Sequence, residues 1–152
     1  MGCLKRIKLE FVRSPFKSPA KPLRNPAQVC DIFKKLAKSV QENLIGIYLN
    51  DDLEIVSFEM LGIGSSYGVS VAPDEIFRGI ILSNAQSFIL LHNHPSGKAR
   101  ASDGDREVIG ILKAQSKIMR KTFLDFIVLA DGGHWSMFEE AEGGEYALGA
   151  IN

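Results

Sequence analysis
Two histidines one residue apart, His92 and His94, close the apolar run Ser87-Phe88-Ile89-Leu90-Leu91, and Ser102 and Asp105 follow shortly after Pro95. Side chains alternate across a strand, so a strand continuing to His94 would deliver both imidazoles to the same side. At strand rise their Cα atoms lie roughly 7 Å apart, a spacing from which both rings can converge on one ion. Asp105 supplies an oxygen ligand if the loop holding Gly97 folds back. Two imidazoles, one carboxylate and an open fourth position describe a catalytic zinc centre, whereas a structural one fills four positions from protein, usually with cysteines. Only Cys3 and Cys30 are present, and they form no Cys-x-x-Cys pair. That usage fits neither a disulfide framework nor a structural zinc site, and the expected compartment is a reducing cytoplasm.

The elements that must position these residues follow from pattern. Residues 1–24 are basic (Lys5, Arg6, Lys8, Arg13, Lys17, Lys21 and Arg24 against Glu10) and are broken by Pro15, Pro19 and Pro22, which predicts an extended arm. Asn25-Pro26 then opens a helix with an apolar face of Val29, Ile32, Phe33, Leu36 and Val40. Leu44 to Leu49 and Leu53 to Leu61 read as an antiparallel hairpin around Asn50-Asp51-Asp52, and a short irregular strand is expected near Val69 to Val71. A second helix begins at Pro73, points Ile76, Phe77, Ile80 and Ile81 inward and ends near Asn84. After the strand Ser87 to Leu91, a third helix from Asp103 to about Met119 carries the stripe Val108, Ile111, Leu112, Gln115 and Met119. Phe123 to Ala130 is a strand, Asp131-Gly132-Gly133 a tight turn, and His134 to Phe138 its return partner. Residues 139–152, acidic and glycine-containing, are expected to be loose. Helices mixed with hairpin-joined strands predict an α/β (α+β) fold: one domain over 25–138 with a mixed, mostly antiparallel sheet flanked by helices.

His-x-His-Pro, six residues, then Ser-x-x-Asp resembles the JAMM (MPN+) metalloprotease signature, and His92, His94, Pro95, Ser102 and Asp105 fall in its register. The form His92-Asn93-His94-Pro95-Ser96-Gly97, with Ala72-Pro73-Asp74-Glu75-Ile76-Phe77 before it and Asp131-Gly132-Gly133 after it, looks like the bacterial RadC family from about Pro26 to Phe138. The chain departs from that family at Phe126, where a histidine often follows the aspartate at Asp125, and residues 1–24 contain no helix-hairpin-helix region. The resemblance implies a JAB/MPN-like, cytidine deaminase-like architecture and a zinc-dependent hydrolase that cleaves a peptide or isopeptide amide in a peptide or protein substrate. It implies zinc on His92, His94 and Asp105, with Glu59 as the catalytic glutamate. Glu54, five residues earlier, is the alternative proton carrier, and strand alternation turns it to the opposite face from Glu59. Ser102 would donate to the oxyanion formed in the transition state.

Plainer roles stand beside these. Ser102-x-x-Asp105 also reads as a capping box ahead of the third helix. His134 reads as a hairpin residue beside Trp135, and Pro95-Ser96-Gly97 as a turn leading the chain away from the histidines. A metal-binding module without activity is a competing function, as is a DNA-associated protein, in line with the DNA-repair naming of RadC. The formal net charge is 0, so only the arm at residues 1–24 offers weak, salt-sensitive nucleic-acid contacts. No stretch has the length and apolarity of a membrane span, and no membrane partner is expected.

Overall fold
The computed structural model describes residues 6, 8, 10–17, 21–64 and 72–146. Asn25 caps the first helix, α1 (Pro26–Phe33), by accepting the Gln28 N–H at 3.1 Å. The chain then tightens into a 3-10 turn over Lys34–Lys38 and leaves it extended at Ser39. Val40 therefore falls outside the helix and is 91% exposed, not buried on its apolar face. Strands β1 (Asn43–Leu49) and β2 (Ile55–Ile63) form the expected antiparallel hairpin. Helix α2 (Pro73–Leu82), strand β3 (Ser87–Asn93), helix α3 (Asp103–Met119), strands β4 (Thr122–Ala130) and β5 (Gly133–Ser136) and a short helix α4 (Met137–Ala141) complete the order. The strand anticipated near Val69 to Val71 lies outside the described residues.

The sheet runs β2-β1-β3-β4-β5, parallel only between β3 and β4, so it is mixed and mostly antiparallel as expected. Strand alternation divides the core into two layers. On one face α1, Leu23 of the arm and Phe138 and Tyr146 beyond β5 cover Ile45, Ile47, Ile89, Leu91, Ile127 and Leu129. On the other, α2 and α3 cover Leu44, Tyr48, Phe88, Leu90, Phe126 and Val128. The described arm residues have no helix or strand, in keeping with the prolines, but the arm is not free: Phe16 packs on Phe33 and Phe58 and the Leu23 N–H donates to Leu53 O.

Two helix faces are rotated from the sequence reading. In α2, Gly79 and not Ile81 faces the sheet, because the Tyr48 ring fills the space where a side chain would sit; a Cβ on Gly79 would meet the Tyr48 hydroxyl. Ile81 is 57% exposed. In α3 the buried positions are Asp105, Ile109, Leu112 and Ser116, an i, i+4, i+7, i+11 series. Turning Asp105 inward fixes that series and leaves Ile111 and Met119 at 42% and 40% exposure. Ile81 and Met119 instead line an open groove of about 570 Å³ between α2 and α3.

Of the tail expected to be loose, the structure describes residues 139–146, which an aspartate holds at Tyr146; residues 147–152 lie outside the described residues. A register shift after Phe88 pairs Ile89 with Asp125 and puts the Asp125 carboxylate, fully buried, on the α1 side. There it accepts from Ser136 Oγ at 2.7 Å, Tyr146 OH at 2.6 Å and Phe138 N at 2.9 Å. The return strand accordingly stops at Ser136, whose hydroxyl also caps α4. Burial pushes the Asp125 carboxyl above its ordinary value against those three hydrogen bonds. A raised folded-state pKa binds the proton more tightly in the folded chain, so its stabilisation is present below the unfolded value near 4 and is lost as pH rises through the folded one. Wild type should thus lose stability relative to Asp125→Asn as pH rises across that window, read as the difference of two urea midpoints. A difference flat in pH would contradict the shift.

Candidate metal centre
His92 lies on β3 opposite Leu44 of β1 and Val128 of β4, in the layer under α3. His94 follows where the chain leaves the strand: its N–H donates to Leu129 O at 2.9 Å, and the Gly97 N–H closes a turn onto His94 O at 3.1 Å. Gly97 takes a φ of 78°, a conformation that suits glycine. The loop then returns at Ser102, the N-cap of α3, and brings Asp105 inward in the first turn.

The pieces converge. His92 Nδ1 lies 3.0 Å from Asp105 Oδ1 and His94 Nε2 lies 3.4 Å from Asp105 Oδ2. The imidazole rings stand nearly perpendicular with centroids 4.8 Å apart. One ligand atom from each of the three residues lies within 4.8 Å of the others. His94 Nδ1 donates to Lys98 O at 3.1 Å, which fixes the ring with Nε2 toward Asp105. Ser102 plays the capping role: its Oγ accepts the Asp105 N–H at 3.1 Å, while its N–H and hydroxyl both donate to Asp105 Oδ2 at 2.7 Å. The hydroxyl proton is thus directed at the ligand carboxylate, which Ser102 orients.

Burial alone would raise the Asp105 carboxyl, but hydrogen bonds from His92, His94 and Ser102 override it and hold the group well below the usual carboxylate range. The hydrogen bond to Asp105 raises His94, against burial. An ionised carboxylate between two imidazoles could hold a metal ion, and the chemistry of these donors fits zinc or a similar borderline divalent ion.

Glu59 is not part of this cluster. It sits opposite Gly46 on the edge strand β2, where it accepts from the Tyr48 hydroxyl at 3.3 Å and pairs with Arg78 at 3.3 Å. Alternation puts it on the α2 side, but β1 separates β2 from the histidine strand. Glu54 is tied to Asn50 Nδ2 at 3.1 Å in the hairpin turn. His134 pairs with Glu139 at 3.1 Å and stays outside the cluster.

The carboxylate that does reach the histidines is Glu42, one residue before β1. Its Oε2 lies 3.8 Å from His92 Nε2, and both atoms are buried without a hydrogen-bond partner. Buried unpaired polar atoms cost about 1–3 kcal/mol each, so two facing one another across a ligand set are the arrangement an ion and its water would satisfy. The sequence shows only an acid directly ahead of a strand; that this strand starts at the sheet end where the histidine strand stops comes from the pairing of β1 with β3.

The chain matches the profile of the RadC-like JAB domain over residues 23–143. Similar proteins, each named UPF0758 protein, occur in Pelodictyon phaeoclathratiforme, 31% identical over 113 residues that cover 72% of this chain and 51% of that one. Another is found in Rubrobacter xylanophilus, 30% identical over 142 residues, or 91% of this chain and 62% of the relative. A third, in Methanosarcina mazei, is 30% identical over 125 residues, 82% and 55% of the two chains. The chain therefore spans between half and two thirds of the length of these curated relatives. The matched residues run from Leu23, seated in the core, through both layers of the sheet to the end of α4, and so take in every element that positions the histidines: the chain belongs to the RadC-like JAB domain family.

Proposed function
We propose that this domain is a zinc-dependent hydrolase of peptide or isopeptide amide bonds, with Glu42, not Glu59, as the proton carrier. The observation that carries this reading is the juxtaposition of Glu42 Oε2, 3.8 Å from His92 Nε2, with the three potential ligands His92, His94 and Asp105. A zinc ion held by those three would supply a Lewis acid that brings the pKa of water down from about 15.7 towards 7. Asp105, kept ionised by its hydrogen bonds, contributes the negative charge of the site, and Ser102 and Lys98 O hold Asp105 and His94 in place. Glu42 Oε2 accepts the proton of the attacking water and returns it to the leaving nitrogen, as amide cleavage requires. The Glu42 side chain is half-buried, with its Oε2 buried against His92.

The reading is tested by metal analysis and cleavage together. The full chain, dialysed and measured by atomic emission, should retain close to one zinc per chain, and the loaded protein should cleave members of a peptide library. Chelation should abolish cleavage and zinc should restore it. Stoichiometric zinc without cleavage of any peptide or isopeptide would favour a metal-binding module over an enzyme.

A further inference from the structure
The residue between the two histidines carries a separate task. Alternation turns Asn93 to the opposite face from His92, where it is 1% exposed. The β1–β3 ladder ends at the pair Leu44 and His92, so the next residues along, Asn43 and Asn93, make no ladder pair. The Asn93 side chain takes over: its Oδ1 accepts the Asn43 backbone N–H at 2.7 Å and Asn43 Nδ2 at 3.0 Å, and its Nδ2 donates to Gln41 O at 3.0 Å. One amide group thus holds the backbone on both sides of Glu42. Asn43 Nδ2 reinforces the grip on Gln41 O at 2.8 Å, and the Gly64 N–H donates to Glu42 O at 2.7 Å from the other strand.

We propose that Asn93 is a positioning residue that fixes Glu42 against the metal site, so that the His-Asn-His triplet supplies two ligands and the clamp for the proton carrier. A primary amide meets both demands, from two separate atoms. A side chain at this position needs one acceptor for Asn43 N–H and one donor for Gln41 O, and asparagine offers both from one short stem. Aspartate keeps the acceptor but turns an anionic oxygen on the Gln41 carbonyl; leucine matches the size and offers neither. The role of Glu42 rests on the hydrolase reading above, but the clamp itself does not.

Two measurements separate the proposals. In this chain, free of metal, hydrogen exchange at the Asn43 amide, followed by NMR, should be at least about tenfold faster in Asn93→Leu than in wild type, and unchanged in Glu42→Gln. In cobalt-loaded protein, Asn93→Asp and Asn93→Leu should bind as much metal as wild type, while their visible absorption bands shift as those of Glu42→Gln do. A merely structural asparagine would lower stability without moving those bands. If Asn93→Leu does not fold, the near-isosteric Asn93→Asp carries the spectral comparison alone. Wild-type exchange at Asn43 in Asn93→Leu, wild-type cobalt bands in folded Asn93→Asp, or loss of metal from it would overturn the clamp. Failure of the wild-type protein to bind cobalt would count against the hydrolase reading and leave the exchange result to decide the clamp.

Discussion

Glu42→Gln is expected to lower amide-bond turnover on the order of 10²-fold or more with zinc content unchanged, whereas Glu59→Gln should leave turnover close to wild type. Glutamine keeps the size and the hydrogen-bonding reach of Glu42 but cannot take up a proton at the point 3.8 Å from His92 Nε2. Since Glu42 is placed as a proton carrier and not as one of the three ligands, the loss should fall on kcat more than on metal binding. Glu59 spends its carboxylate on Tyr48 and Arg78, an arrangement more than a third exposed that adds little to stability. The measurement is single-substrate kinetics with zinc quantified in the same samples. Equal turnover in Glu42→Gln and wild type would remove Glu42 from the mechanism, and a loss confined to Glu59→Gln would return the role to β2.

That contrast shows which parts of the site the sequence could reveal. His92, His94, Ser102 and Asp105 sit on one strand, one turn and the first turn of one helix, so local periodicity and capping chemistry are enough to bring them together. Glu42 meets His92 only through sheet pairing between segments about 50 residues apart, and nothing local says that β1 lies beside β3. The resemblance points to Glu59 and alternation sets it apart from Glu54, but face is not position: β2 is two strand spacings from β3, roughly 10 Å across the sheet. The same limit explains the helices. The stripe with Ile111 and Met119 is the more apolar of the two, yet the one with Ile109 and Ser116 is buried, because Asp105 turns inward to the histidines. The strand and helix order was legible from prolines, caps and turns, whereas the buried hydrogen bonds of Asp125 to Tyr146, which fasten an acidic tail, depend on contacts distant in sequence.

His92→Ala and Asp105→Ala should each weaken zinc binding on the order of 10²-fold or more, since loss of a supporting partner alone costs 10- to 100-fold and these residues are proposed as ligands. The fold should persist in both, because neither side chain is a member of the two apolar clusters that make up the core. Their stabilities should nonetheless differ. His92→Ala leaves Asp105 with His94 and both donors of Ser102, while Asp105→Ala removes the acceptor that Ser102 N–H and Oγ share and so loses the reciprocal half of the capping box of α3, a cost of about 1 kcal/mol. Zinc gives the sharper readout. A ligand that binds only the folded state at 100 times its Kd stabilises by about 2.7 kcal/mol, so added zinc should raise the wild-type Tm by several degrees and leave both variants almost unmoved. Thermal melts with and without zinc, alongside far-UV circular dichroism, check this. A zinc-dependent rise in Tm that survives in Asp105→Ala would mean that the ion is held elsewhere, and the ligand assignment would fall with it.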